Sequence, residues 1–161
     1  AYQNDIQINL FTMLDELSLG NRAAGGAASA FCVKNPDDPN QYNLRVETPS
    51  GQRWFKIAPG LEQEAPSATG SDTTLWHSTN GINWQSLDLN KKIILLSGSK
   101  FEYYNYRNEP VLTSDAVFSE SEYRYIPTMI KVTLIAASNE PGLATRPSVT
   151  ITTFLRPRNA P

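Results

Sequence analysis

The chain has one cysteine, one histidine and two methionines among 161 residues, and no uninterrupted aliphatic run longer than Ile93-Ile94-Leu95-Leu96. Each scarcity closes off a class of function. A lone cysteine, Cys32, cannot form an intrachain disulfide. It lies in Ala27-Ala28-Ser29-Ala30-Phe31-Cys32-Val33, a small apolar run that suits a buried thiol acting as a small hydrophobe. Lys34 is the one cation close enough in sequence to activate it, which is thin support for a reactive thiol. A lone histidine, His77, excludes a His-rich metal site, and any Ser-His-Asp triad would have to be built on it. Beside Trp76 and just before Asn80-Gly81, it reads as an ordinary strand residue. The four-residue aliphatic run falls far short of the ~18 residues of a membrane span, and no signal peptide is visible.

Charge is equally restrained. Fourteen Lys+Arg against sixteen Asp+Glu leave a net charge of −2, without a basic run able to follow a phosphate backbone, so no extended nucleic-acid surface is expected. Gly25-Gly26 and Ser97-Gly98-Ser99 lack the Lys-Ser/Thr that would follow in a phosphate loop. Carboxylate pairs occur at Asp15/Glu16, Glu62/Glu64 and Glu120/Glu122. The last two pairs fall in polar stretches where solvated charge is the ordinary outcome, so neither is assigned the facing carboxyls of a glycosidase. Asn35, Asp37, Asp38 and Asn40 offer the oxygens that a calcium ion prefers. Pro36 and Pro39 make a plain turn just as natural there, and the spacing is not that of an EF-hand. No cofactor and no catalytic residue is assigned.

What is present is a change of period. Ile6, Leu10, Met13, Leu14 and Leu17 recur at the spacing of one helical face, widened by Ile8 and Phe11, which predicts an amphipathic helix over about 2–19. Gly20-Asn21 is read as its left-handed stop. Since the chain opens at Ala1-Tyr2-Gln3 on that helix with no Met and no cap, we expect an upstream segment to have been removed. From about residue 27 to 157 the period falls to two. Strands are expected at 28–33, 42–47, 52–57, 73–78, 82–87, 92–96 and 100–106, with two more at 127–137 and 149–159. Asn80-Gly81, at ease at positive φ, is a strong hairpin signal. Residues 59–72 and 108–125 are expected as long surface loops. With 40% hydrophobic residues the chain can bury one ordinary core. It is read as a single α+β domain over 1–161, an N-terminal helix packed on a mostly antiparallel sheet with a large β portion.

Three segments carry a family resemblance. Leu96-Ser97-Gly98-Ser99-Lys100-Phe101-Glu102-Tyr103-Tyr104-Asn105 is similar to a leucine, turn and alternating strand ending in Tyr-Tyr-Asp/Asn. A proline-initiated strand follows from Pro127 to Ala137, and a tail strand ends in Leu155-Arg156-Pro157-Arg158-Asn159. After an amphipathic helix, this order resembles the pseudopilins and minor type IV pilins, in particular the J-type subunit of type II secretion. The family's hydrophobic start, Phe-Thr-Leu-x-Glu, does not occur here. The resemblance implies a non-catalytic subunit of an envelope fibre in a tip or priming complex. Other pilin subunits would be its partners, and the missing hydrophobic helix would anchor it in the inner membrane, with the β domain in the periplasm or outside the cell. Ile6, Ile8, Leu10, Phe11, Met13, Leu14 and Leu17 would serve packing and assembly.

The alternative from another class is a β-sandwich that binds carbohydrate. Trp54, Trp76, Trp84, Tyr103, Tyr104, Tyr106, Tyr123 and Tyr125 would supply its aromatic platform. Alternation argues against one platform, because Phe101 and Tyr103 share one face of their strand and Tyr104 and Tyr106 the other.

Overall fold

The computed structural model describes residues 21–22, 32–35, 38–48, 51–63, 65–67, 72–87, 93–111, 127–139 and 147–156. Eleven strands run through them: β1 (Asn21–Arg22), β2 (Cys32–Asn35), β3 (Asp38–Thr48), β4 (Gly51–Pro59), β5 (Thr73–Ser78), β6 (Gln85–Ser86), β7 (Ile93–Leu95), β8 (Lys100–Tyr104), β9 (Pro110–Val111), β10 (Met129–Ser138) and β11 (Ser148–Leu155). The sole helical element among the described residues is a 3-10 turn at Leu61–Gln63. All pairings are antiparallel.

This corrects the α+β expectation: the described part is a curled antiparallel sheet with no α-helix. The helix expected over 2–19, with Ile6, Ile8, Leu10, Phe11, Met13, Leu14 and Leu17, lies outside the described residues. The sheet supplies its own cover. Leu44, Phe55 and Leu75 from β3, β4 and β5 pack in one cluster with Ile93 and Leu95 of β7, Tyr103 of β8, Val111 of β9 and Ile130, Val132, Leu134 and Ala136 of β10. Every one of these buried residues lies on a strand. Twist accumulated over so many strands lets the two halves of the sheet face each other, as stacked sheets do.

The curl depends on long strands that share one edge between two short partners. β3 pairs with β4 along one edge and with β2 and β1, end to end, along the other. β5 pairs with β4, and opposite to it with β6 and, at Thr73↔Leu95, with β7. β10 pairs with β11 on one side and with β8 and β7 on the other. β7 therefore hinges the two halves together.

Two further expectations change. Asn21, read as a helix stop, is extended opposite Glu47, because the end of β3 beyond β2 offers an open ladder. Within the expected loop 108–125, Pro110 and Val111 pair with Tyr104 and Tyr103, and burial of Val111 is the reason.

The 59–72 connection is stitched shut at its base. Gly60 and Leu61 N–H groups both donate to the Asp72 carbonyl, at 2.9 and 3.1 Å, and Ser67 N–H donates to the Pro59 carbonyl at 2.9 Å. Leu61 is buried. Gly60 has φ +115°, and a Cβ there would run into the Ala65 carbonyl, so glycine is required twice over.

Candidate functional site

Register sorts the residues of β10 and β11 into two rows, since directly opposed residues share a face. Ile130/Leu155, Val132/Thr153, Leu134/Ile151 and Ala136/Val149 point inward; Lys131/Phe154, Thr133/Thr152, Ile135/Thr150 and Ala137/Ser148 point outward. The inward residues of β10 are buried, whereas Val149, Ile151 and Leu155 of β11 are only partly so. On the outward side of β11, Ser148, Thr150, Thr152 and Phe154 are all exposed, Phe154 to 57%. Among the described residues β11 has one ladder partner, β10. No described residue pairs with its far edge, along which alternate residues turn their backbone N–H and C=O groups away from β10.

The sequence of β11 itself supplies no guard for that edge. Proteins usually protect an edge with lysine, proline, a bulge or brevity. Ser148-Val149-Thr150-Ile151-Thr152-Thr153-Phe154-Leu155 has no charge, no proline and no glycine, and its register on β10 is unbroken. The first charge is the exposed Arg156.

The opposite edge of β10 is closed with care. β8 covers it as far as Thr133 and β7 resumes at Ala136. In the gap, the Ser99 hydroxyl accepts from Ile135 N–H at 2.9 Å and donates to the Ile135 carbonyl at 3.3 Å, and Leu96 N–H donates to that carbonyl at 2.7 Å. Gly98 turns over the Ile135 side chain, 3.0 Å from where a Cβ would stand. The Leu96-to-Lys100 segment thus fills the break between two short strands.

A second cluster lies on the other face of β4 and β5. Trp54, Lys56 and Ala58 stand opposite Ser78, Trp76 and Thr74, and Ser86 of β6 stands opposite Trp76. Lys56 is 3% exposed, with its ammonium 4.2 Å from the centroid of the Trp84 ring, an attraction strengthened by loss of water. Trp76 donates its indole N–H to the Ala58 carbonyl at 2.8 Å. A Cβ added at Gly81 would stand 3.4 Å from the Trp54 ring. The Asn80-Gly81 loop is longer than a two-residue turn, because pairing begins at His77↔Gln85. Asn80 Oδ1 organises it, accepting from Ile82 and Asn83 N–H at 2.8 and 2.9 Å.

This arrangement disperses the eight aromatics considered as a sugar platform. Trp76 and Tyr103 are buried. Trp54, Trp84 and Tyr104 are half-buried, and Tyr106, 46% exposed, has the Arg107 guanidinium 5.2 Å from its centroid. Tyr123 and Tyr125 lie outside the described residues.

His77 sits inward on β5, where Arg53 Nη2 donates to its Nδ1 at 2.6 Å while the same guanidinium stacks on Phe55. Its partner is a cation, and a doubly protonated ring could not accept that bond. Glu62 Oε2 accepts from Asp72 N–H at 3.2 Å and closes its loop; Asp15, Glu16, Glu64, Glu120 and Glu122 lie outside the described residues. Of the calcium candidates, Asn35 and Asp38 face each other across the β2–β3 hairpin, Asn40 follows along β3, and Asp37 lies outside. Among the described residues no three His, Cys, Asp or Glu side chains gather around one point.

Sequence reasoning expected a tail strand at 149–159, of which the described strand is Ser148–Leu155, and missed that no described strand lies beyond it. The usable signal was eight residues without charge before Arg156. It also missed Lys56 as a buried cation, although Trp54-Phe55-Lys56-Ile57-Ala58 already set the lysine on the tryptophan's face. Compared with known proteins, the chain matches no protein-family model, no curated protein and no solved structure.

Proposed function

We propose that this chain is a non-catalytic structural subunit of a bacterial envelope fibre, of the pilin or pseudopilin kind, acting in a tip or priming complex. Its partners are other subunits of that fibre, and its working place is the cell envelope, at the inner membrane and beyond it. One observation carries the reading. The three segments that bear the resemblance fold as adjacent paired strands, β8, β10 and β11, and among the described residues nothing pairs with the outer edge of the last. A subunit that works by contact needs such a surface. The sugar-binding alternative has less support, because its aromatics are divided between the core, the Lys56 cluster and the surface.

The test is mass spectrometry of the N-terminus of the native protein in a membrane fraction. The proposal expects an N-methylated phenylalanine opening a hydrophobic segment that runs into Tyr2. A native chain that starts near Ala1 after an ordinary signal peptide overturns it.

A further inference from the structure

We propose that β11 is a homotypic association edge, on which the β11 of a second copy of this chain pairs antiparallel about a two-fold axis. The inference goes beyond the fibre reading and stands on the ladder alone. An edge strand fixes the chemistry of its occupant: only another extended backbone satisfies a row of alternating donors and acceptors. The side-chain rows then narrow the choice.

Read in either direction, β11 presents the same two rows. Ser148, Thr150, Thr152 and Phe154 are on the outward side, and Val149, Ile151, Thr153 and Leu155 on the inward side. An antiparallel copy centred on Thr152 sets Val149 against Leu155, an apolar pair, and Ile151 against Thr153, two β-branched residues. Those are the residues left partly exposed in the single chain, and a neighbouring strand would continue the core across them. Thr150 would meet Phe154, and Thr152 its own copy, pairings of the kind that stabilise antiparallel ladders.

Charge selects the direction. Arg156 is exposed at the end of the strand. In a parallel pair the two Arg156 side chains would stand about 5 Å apart, the spacing of neighbouring strands, while in the antiparallel pair they lie at opposite ends, about 25 Å apart at the usual rise per residue. That is beyond the screening length at physiological salt. Nothing charged lies between them on β11 to oppose its copy. Two-fold pairing is also closed, so it gives a dimer and leaves no further β11 edge for extension.

The interface is small, a single ladder with its flanking side chains, and its affinity should be modest. Sedimentation of the 161-residue chain up to about 1 mM should show a reversible dimer, a range suited to a weak contact. Thr150 and Thr152 are exposed, so the double variants T150K/T152K and T150E/T152E should keep the near-ultraviolet circular dichroism of the parent. Each alone should dimerise about tenfold more weakly or worse, through like charges placed across the ladder. Mixed in equal amounts they should form the heterodimer at least as tightly as the parent pairs with itself. A parent chain that stays monomeric over the whole range overturns the proposal. So do like-charged variants that dimerise as the parent does, or a mixture that fails to pair while both variants keep the parent spectrum.

Discussion

β10 and β11 are hydrogen-bonded to each other over eight residue pairs in unbroken register and turn alternate side chains to the same core. They nonetheless live in different environments. β10 has partners along both edges, and Val132, Leu134 and Ala136 are fully buried; among the described residues β11 has a partner along one edge, and its inward residues are only partly covered. The difference lies in neighbours rather than in composition. A β-branched row is stabilising where strands flank it on both sides and is an adhesive surface where one side is open.

The comparison can be broken most directly by truncation. Leu134→Ala on β10 should cost about 2–5 kcal/mol, the range for a fully buried leucine, and Ile151→Ala directly opposite should cost less than half as much, because its site is partly solvated already. Urea denaturation of the two variants checks this, and equal losses would mean that β11 is as enclosed as β10. Next in size is Ser99→Ala, which leaves Ile135 N–H without its acceptor where β7 and β8 part; we expect about 1–3 kcal/mol and faster exchange at that amide. The smallest effect compares two threonines opposed on the outward side. Thr133→Lys places a cation across from Lys100 and should cost on the order of 1 kcal/mol, whereas Thr152→Lys on the open edge should stay within about 0.5 kcal/mol at dilute concentration. Thermal melts of both variants decide it.

These same two strands mark how much the sequence revealed. Period-two alternation located both, along with β4, β5, β7 and β8, because the period of a half-buried strand is set locally. Whether a strand is central or at an edge depends on what pairs with it from elsewhere in the chain, and no local pattern carries that. β1 and β9 were missed for the same reason: two residues show no period, and Asn21 and Val111 are recruited by strands already formed. The α+β reading failed at a related step. A one-sided sheet needs cover, and the amphipathic pattern before it offered one, but a sheet of this many strands can curl and cover its own inward face.

The aromatic cluster shows the opposite limit. Alternation alone put Trp54 and Lys56 on one face of β4, but it could not show that Trp76 pairs opposite Lys56 from β5 and that Trp84, from the loop before β6, meets the ammonium. Burial of the lysine is a consequence of tertiary pairing. So is the dispersal of the sugar platform.

Amide hydrogen exchange read strand by strand, at low and at high protein concentration, tests the central contrast most directly. The account predicts slow exchange throughout β10 at both concentrations, and fast exchange at alternate amides of β11 in dilute solution, those that face the open edge, slowing as concentration rises. Uniform protection of β11 equal to that of β10 in dilute solution would contradict it.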